Sequence, residues 1–265
     1  MSIADRLGVN AHDLHGDTKH ALQHAGKLGV RLVELAAHAP DMSPGVLSAS
    51  GRRHLLRFVE GAGLQLNSLT ADHATLRLTD PSTIDQRIAL TSDILKLAAD
   101  LRVSAVSTAI GAVTHPETSD PSPIAVEALQ QMGEAADTYG IRLALRPSSD
   151  EPDGFAALLD AVACPAIQLG LDLAPLVIAG NNPIRYVERF ATSVAIVHVR
   201  DAREGRGDRP GCEVRMGEGD VDLTGAMVTL ESTDYRGAYI LRRTGSNDPM
   251  SDLIAARGQV EEFCV

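Results

Sequence analysis

Hydrophobic and polar positions along the chain follow two rhythms that alternate from end to end. Short apolar or β-branched runs of about five or six residues recur at Arg6–Asn10, Leu32–Ala36, Leu64–Leu69, Val103–Thr108, Arg142–Arg146, Ile167–Asp172, Val194–Val199 and Ala238–Arg242. Runs of this length and content predict strands buried on both faces of a parallel sheet. Between them, apolar residues return at intervals of three and four, the period of a helix. Over Pro81–Asp100 the residues Ile84, Ile88, Thr91, Leu95 and Ala98 share one helical face. Asp80 and Pro81 suit its N-cap and first turn, and Asn182 and Pro183 open another helix in the same way. A last helix is predicted over Ser251–Phe263.

The phrases "AGKLGVRLVEL", "VEGAGLQLNSL" and "AADTYGIRLAL" each read as a helix end, a glycine and a strand. A glycine there supplies the left-handed conformation that stops a helix. Eight strands alternating with helices over 265 residues predict a (β/α)₈ TIM barrel, with residues 1–265 forming one domain. The alternative is a doubly wound open sheet. That fold carries a glycine-rich phosphate loop after an early strand, and "GVNAHDLHGD" is no GxGxxG.

Composition narrows the partners. Aromatic residues are 3% and tryptophan is absent, so the core must be aliphatic. The formal net charge of −11 disfavours nucleic acid and anionic membrane, both of which attract basic surfaces. No apolar run approaches the roughly 18 residues of a membrane span. The N-terminal "MSIADRLGVNA" lacks the pattern of a signal peptide. Cys164, Cys212 and Cys264 are widely spaced and form no CxxC pair, which fits reduced thiols. A cytoplasmic location is the expectation, and association of identical copies stays open.

In a barrel of this kind the active site lies at the C-terminal ends of the strands. Histidines follow five of the predicted strands: His12 and His15, His38, His73, His115, and His198. Strand five ends at Arg146, strand six at Asp172, strand seven at His198 with Arg200 and Asp201 after it, and strand eight at Arg242. Asp72 stands beside His73. The long segment "AREGRGDRPGCEVRMGEGD" after strand seven reads as a glycine-rich loop, either a cover for the site or a solvated excursion.

The phrases "LGVRLVEL", "AADTYGIRLAL", "IQLGLDLAPL", "VAIVHVRDA" and "RMGEGDVDLTGAM" resemble the sugar phosphate isomerase/epimerase family of xylose-isomerase-like barrels. "HVRDA" is similar to the family's His-x-Lys-Asp, and "GEGDVD" to its loop after strand seven. The resemblance implies a divalent metal held by a Glu, an Asp, a His and a Glu at the ends of strands five to eight. The two glutamates would serve as acid and base. Carried over position by position, the Asp is Asp172 and the His is His198, but both glutamates fall on arginines, Arg146 and Arg242. The family's Asp-x-Gly-His also breaks, since Asp172-Leu173-Ala174-Pro175 has no histidine.

A guanidinium neither ligates a divalent cation nor serves as a base near neutrality. The expectation is therefore no metal and no cofactor. His198 and Asp172 are the candidate catalytic residues. Arg146, Arg242, Arg200, His38, His73 and His115 are the candidate contacts for a small sugar, sugar phosphate or sugar acid. Two Arg and one Asp sum to +1, where the family's metal, two Glu and one Asp sum to −1. That charge suits either an anion-binding pocket or a buried ion network. A metal-independent isomerase or epimerase and a non-catalytic sugar- or anion-binding protein both remain open. The DNA-cutting branch of the same fold needs several zinc ions and a basic face, which the charge of −11 opposes. Glu34 is expected inside the barrel as an arginine's partner, and Asp201 as the group that orients His198.

Overall fold

A computed structural model describes residues 2–264. The first half runs β1 (Leu7–Asn10), α1 (Thr18–Ala25), β2 (Leu32–Ala36), α2 (Ala49–Gly61), β3 (Gln65–Thr70), α3 (Ile84–Asp100), β4 (Ala105–Ala109) and α4 (Pro123–Tyr139). The second runs β5 (Arg142–Arg146), α5 (Pro152–Val162), β6 (Ile167–Asp172), α6 (Leu173–Ile178), α7 (Pro183–Phe190) and β7 (Val194–Val199). It continues with β8 (Asp201–Arg203), β9 (Cys212–Val214), α8 (Leu223–Ser232), β10 (Ala238–Leu241) and α9 (Pro249–Glu261). Eight of the strands close a parallel barrel in the order β1-β10-β7-β6-β5-β4-β3-β2. This is the (β/α)₈ TIM barrel that the alternating pattern predicts.

The predicted strands β2, β5, β6 and β7 match residue for residue, and the others shift by one or two. β1 starts at Leu7 because Arg6 closes a short 3₁₀ turn. From there Arg6 sends its guanidinium to Glu231 at 2.7 and 2.8 Å and to the Tyr235 carbonyl at 2.8 Å. α3 starts at Ile84 rather than Pro81. Asp80 spends its carboxylate two residues on, accepting from the Ser82 amide at 2.9 Å and hydroxyl at 2.6 Å, which makes a turn before the helix. α9 begins at Pro249, capped by Asp248, whose side chain accepts from the Ser251 amide. The helix-stopping glycines Gly29, Gly63 and Gly140 have φ of +71°, +76° and +65°.

Two apolar layers result. The larger lies between the strands and the surrounding helices and holds Leu35, Leu69, Val106, Leu143, Leu169, Val197 and Leu241. The smaller fills the barrel itself with Leu32, Ala144, Ala195, Ile196, Ala238 and Ile240. Strand alternation separates them, since successive side chains point to opposite faces, except at Ala195, the extra residue where β7 slips register against β6. Cys164 and Cys212 are free thiols, and the side chain of Cys264 lies outside the described residues.

Candidate functional site

The same alternation builds the site. One step of two residues beyond the interior residues Leu32, Ala144, Ile196 and Ile240 come Glu34, Arg146, His198 and Arg242. Register pairs His198 with Asp172 on one neighbouring strand and with Ile240 on the other, so Arg242 stands one step above His198. Gly170 stands one step below Asp172. A Cβ there would meet Arg146 Cγ at 2.8 Å, so the missing side chain is what admits the arginine.

Asp172 is fully buried and holds two guanidiniums. Its Oδ2 accepts from Arg146 Nη1 at 3.0 Å and Arg200 Nη2 at 2.7 Å, and its Oδ1 from Arg200 Nε at 2.8 Å. Arg146 also donates through Nη2 to Asp72, and Arg200 through Nη1 to Glu213 at 2.8 Å. Arg242 reaches the other side of the mouth, where Nε and Nη2 contact Asp13 at 3.2 and 3.3 Å. Its Nη1 has no acceptor among the described residues.

Below the arginines lies Glu34, whose exposure is zero. It accepts from Asn10 at 2.9 Å, Ser68 at 3.1 Å and Ser107 at 3.3 Å, and lies 2.9 Å from His198 Nε2. Burial alone would raise this carboxyl, but His198, Arg242 and Asn10 outweigh it and hold it at about 2. An ionised carboxylate only accepts, so His198 Nε2 carries the proton of that bond. His198 Nδ1 is buried without a hydrogen-bond partner, 3.6 Å from Asp172 Oδ2. Asp172 and Asp72 face the same opposition. Burial pushes each up, and the guanidiniums, Arg200 for Asp172 and Arg146 for Asp72, hold each well below the usual carboxylate range.

Above this layer opens a cavity of about 650 Å³. Arg77, Arg87, Arg146, Arg200 and Arg242 line it, with Asp72 as the single carboxylate and His73 as the single imidazole. Burial, then Arg87 and His38, pull His73 down to about 4, so it is uncharged at neutral pH. Its Nε2 is buried and unpartnered.

Four sequence expectations change here. His38 and His115 are exposed and do not line the cavity, because the loops after β2 and β4 carry them outward. Asp172 and His198, expected as catalytic groups, lie beneath the arginines instead of on the cavity wall. Asp201 does not orient His198. One residue past Arg200, it points the other way and accepts the amides of Ala202, Gly217, Gly219 and Val221, which folds the "GEGDVD" turn. The long segment after β7 is an antiparallel hairpin of β8 and β9. Its Glu213 reaches back to Arg200, to Arg243 at 3.2 Å and to the Thr244 amide at 2.7 Å, stitching the hairpin to the mouth.

Asp13, Glu213, Asn10 and Arg87 escape sequence reasoning. Asp13 and Asn10 follow or end β1 and would emerge from the same reading of strand ends. Arg87 lies on the apolar face of a helix, between Ile84 and Thr91, and its one signal in the sequence is a charge at a buried position of the periodic pattern.

Comparison with known proteins agrees with the barrel fold. No curated protein matches the chain in sequence. Among solved structures, a xylose isomerase domain protein from Planctomyces limnophilus is 24% identical, covers 91% of each chain and superposes with a TM-score of 0.81. The IOLI protein, solved with a bound zinc atom, is 17% identical over 98% of each chain, with a TM-score of 0.76. D-psicose 3-epimerase from Clostridium cellulolyticum H10, solved with D-tagatose, is 16% identical over 98% of this chain and 99% of its own, with a TM-score of 0.75. These likenesses concern the fold. The family model of xylose isomerase-like TIM barrels matches residues 22–259, and the chain belongs to that family.

Proposed function

We propose that this chain binds a small acidic sugar, a sugar acid or a sugar phosphate, at the C-terminal mouth of the barrel, and does so without a divalent metal. The observation that carries the reading is the cavity lined by five arginines and one carboxylate. Planar guanidinium forks suit carboxylate and phosphate oxygens. The barrel wall lowers the effective dielectric around them, so nearby charge outweighs the distant surplus of acid groups.

The donor set does not fit the metal that the family resemblance implies. Both Asp172 oxygens accept from arginines, His198 Nε2 is committed to Glu34, and Arg146 and Arg242 stand where carboxylate ligands would be needed. Hard divalent ions need oxygen donors and negative charge. Among the described residues, no group of three or more His, Cys, Asp or Glu is placed to hold one.

Turnover is a second reading, favoured by His73. A neutral imidazole lining the cavity beside guanidiniums can take a proton from carbon next to a carbonyl while the arginines hold the enolate oxygen.

Calorimetry tests the binding. Gluconate or glucose 6-phosphate should bind more tightly than glucose, and Arg242→Met should weaken them about tenfold with the fold intact. Equal affinity for charged and neutral sugars would leave the arginines a structural network only. Incubation in deuterated water separates the two readings, because only an enzyme washes solvent deuterium into a sugar C–H position.

A further inference from the structure

We infer that the acidic end of the ligand sits at one side of the cavity, in a subsite formed by Arg87, Arg77 and the backbone amides of Gly111 and Ala112. This rests on reading the cavity as an acidic-sugar site. Arg87 differs from the other inward-facing arginines of the mouth, Arg146, Arg200 and Arg242. It is 3% exposed, yet no carboxylate lies within ion-pair distance among the described residues. Arg146, Arg200 and Arg242 each have at least one.

Its Nη1 donates to the carbonyls of Leu76 at 2.8 Å and His73 at 3.3 Å. Its Nη2 donates to Thr108 Oγ1 at 2.6 Å and to the Ala109 carbonyl at 2.9 Å. Those bonds place the guanidinium, but their acceptors are all neutral, and Nε is buried with no partner. A buried charge without a paired carboxylate is costly: burial presses this one towards neutrality, and Asp72, beyond ion-pair distance, opposes that in part while Arg146 adds to it. An anion in the cavity would supply the missing counter-charge.

Three neighbours point the same way. Arg77 lines the cavity, is exposed, and makes no ion pair or side-chain hydrogen bond among the described residues. Gly111 and Ala112 also line it, and their consecutive amides find no acceptor among the described residues. Gly111 has φ of +67° with open space where a Cβ would stand. Successive amides around a left-handed residue form a concavity that suits an anion.

Asp72, the one carboxylate on the wall, opposes an anion nearby, but its Oδ1 is occupied by Arg146 and by the Ala109 amide at 2.9 Å. Its Oδ2 has no donor among the described residues. A sugar hydroxyl can supply one. The ligand is therefore oriented with its charged end towards Arg87 and Arg77 and its hydroxyls towards Asp72 and Arg242.

The test is titration calorimetry of the full chain with D-gluconate, D-glucose 6-phosphate and D-glucose. Arg77→Gln, a surface change that leaves the fold alone, should lower the affinity of the anions about tenfold, and Arg87→Gln should lower it further. Neither should change glucose binding. The better anion of the two identifies carboxylate or phosphate as the natural end group. If Arg242→Met loses anion binding while Arg77→Gln retains it, the subsite is wrong and the pocket reading stands. If the unaltered protein binds no anion, both fall together.

Discussion

The upper and lower halves of the barrel interior come from the same strands, two residues apart, and have opposite chemistry. Below are Leu32, Ala144, Ile196 and Ile240, apolar and at most 7% exposed. Above, one step along the same four strands, are Glu34, Arg146, His198 and Arg242. The lower half gains stability from burial alone. The upper half must offset the cost of taking ions out of water, several kcal/mol for each, by pairing them closely. It does so with Asp172, Asp72, Asp13 and Glu213, which arrive from other strands, from loops and from the β8–β9 hairpin. A fold needs the first half. The second half is a costly way to fill a barrel, and it leaves guanidiniums on a cavity wall.

The sharpest way to break the contrast is Asp172→Asn. It leaves Arg146 and Arg200 buried with their shared counter-charge gone, and should cost about 4 kcal/mol in urea unfolding. A loss under about 1 kcal/mol would mean that water or rearrangement replaces the carboxylate, and the upper half is not the tight network described. Ile240→Ala, two residues below Arg242, should cost about 3 kcal/mol through lost burial and a cavity. It should leave anion affinity unchanged by calorimetry. A large fall in affinity would show that the two halves are mechanically coupled.

Acid should affect only the upper half. The Glu34 carboxyl is held at about 2, below its ordinary value of 4.5. A depressed carboxylate stabilises the fold fully above the unfolded value, and that contribution fades as pH falls from about 4.5 towards 2. It amounts to a few kcal/mol at most. Thermal unfolding should therefore steepen its decline in this window, and Glu34→Gln should flatten it. An unchanged profile in the variant would assign the acid sensitivity to other carboxylates. The smallest effect is expected from chelation. The melting temperature should not move on adding EDTA, and elemental analysis should find no stoichiometric Mn, Co, Mg or Zn. About one bound ion per chain, lost in Asp172→Asn, would overturn the metal-free reading.

The part of the site that sequence reasoning reaches is the part made by strand ends. Arg146, Asp172, His198 and Arg242 each end or follow an apolar run, and period-two alternation brings their side chains to one mouth. Histidines in the following loops are a different case. His73 turns inward while His38 and His115 face solvent, and all three look alike in sequence. Loop geometry depends on bonds such as those from Arg87 to the His73 and Ala109 carbonyls, which join residues far apart in the chain.

Hydrophobic periodicity by itself determined the eight strands and their alternation with helices. These are local properties, written in residues one to four apart, and the closed barrel follows from them. Only the tertiary structure decided what the arginines do there. Asp172 serves two of them, Asp13 serves the third, and Arg87 is left with none. Coulomb energy depends on distance in space, and a chain of 265 residues does not reveal which charges its folding will bring within 3 Å of one another.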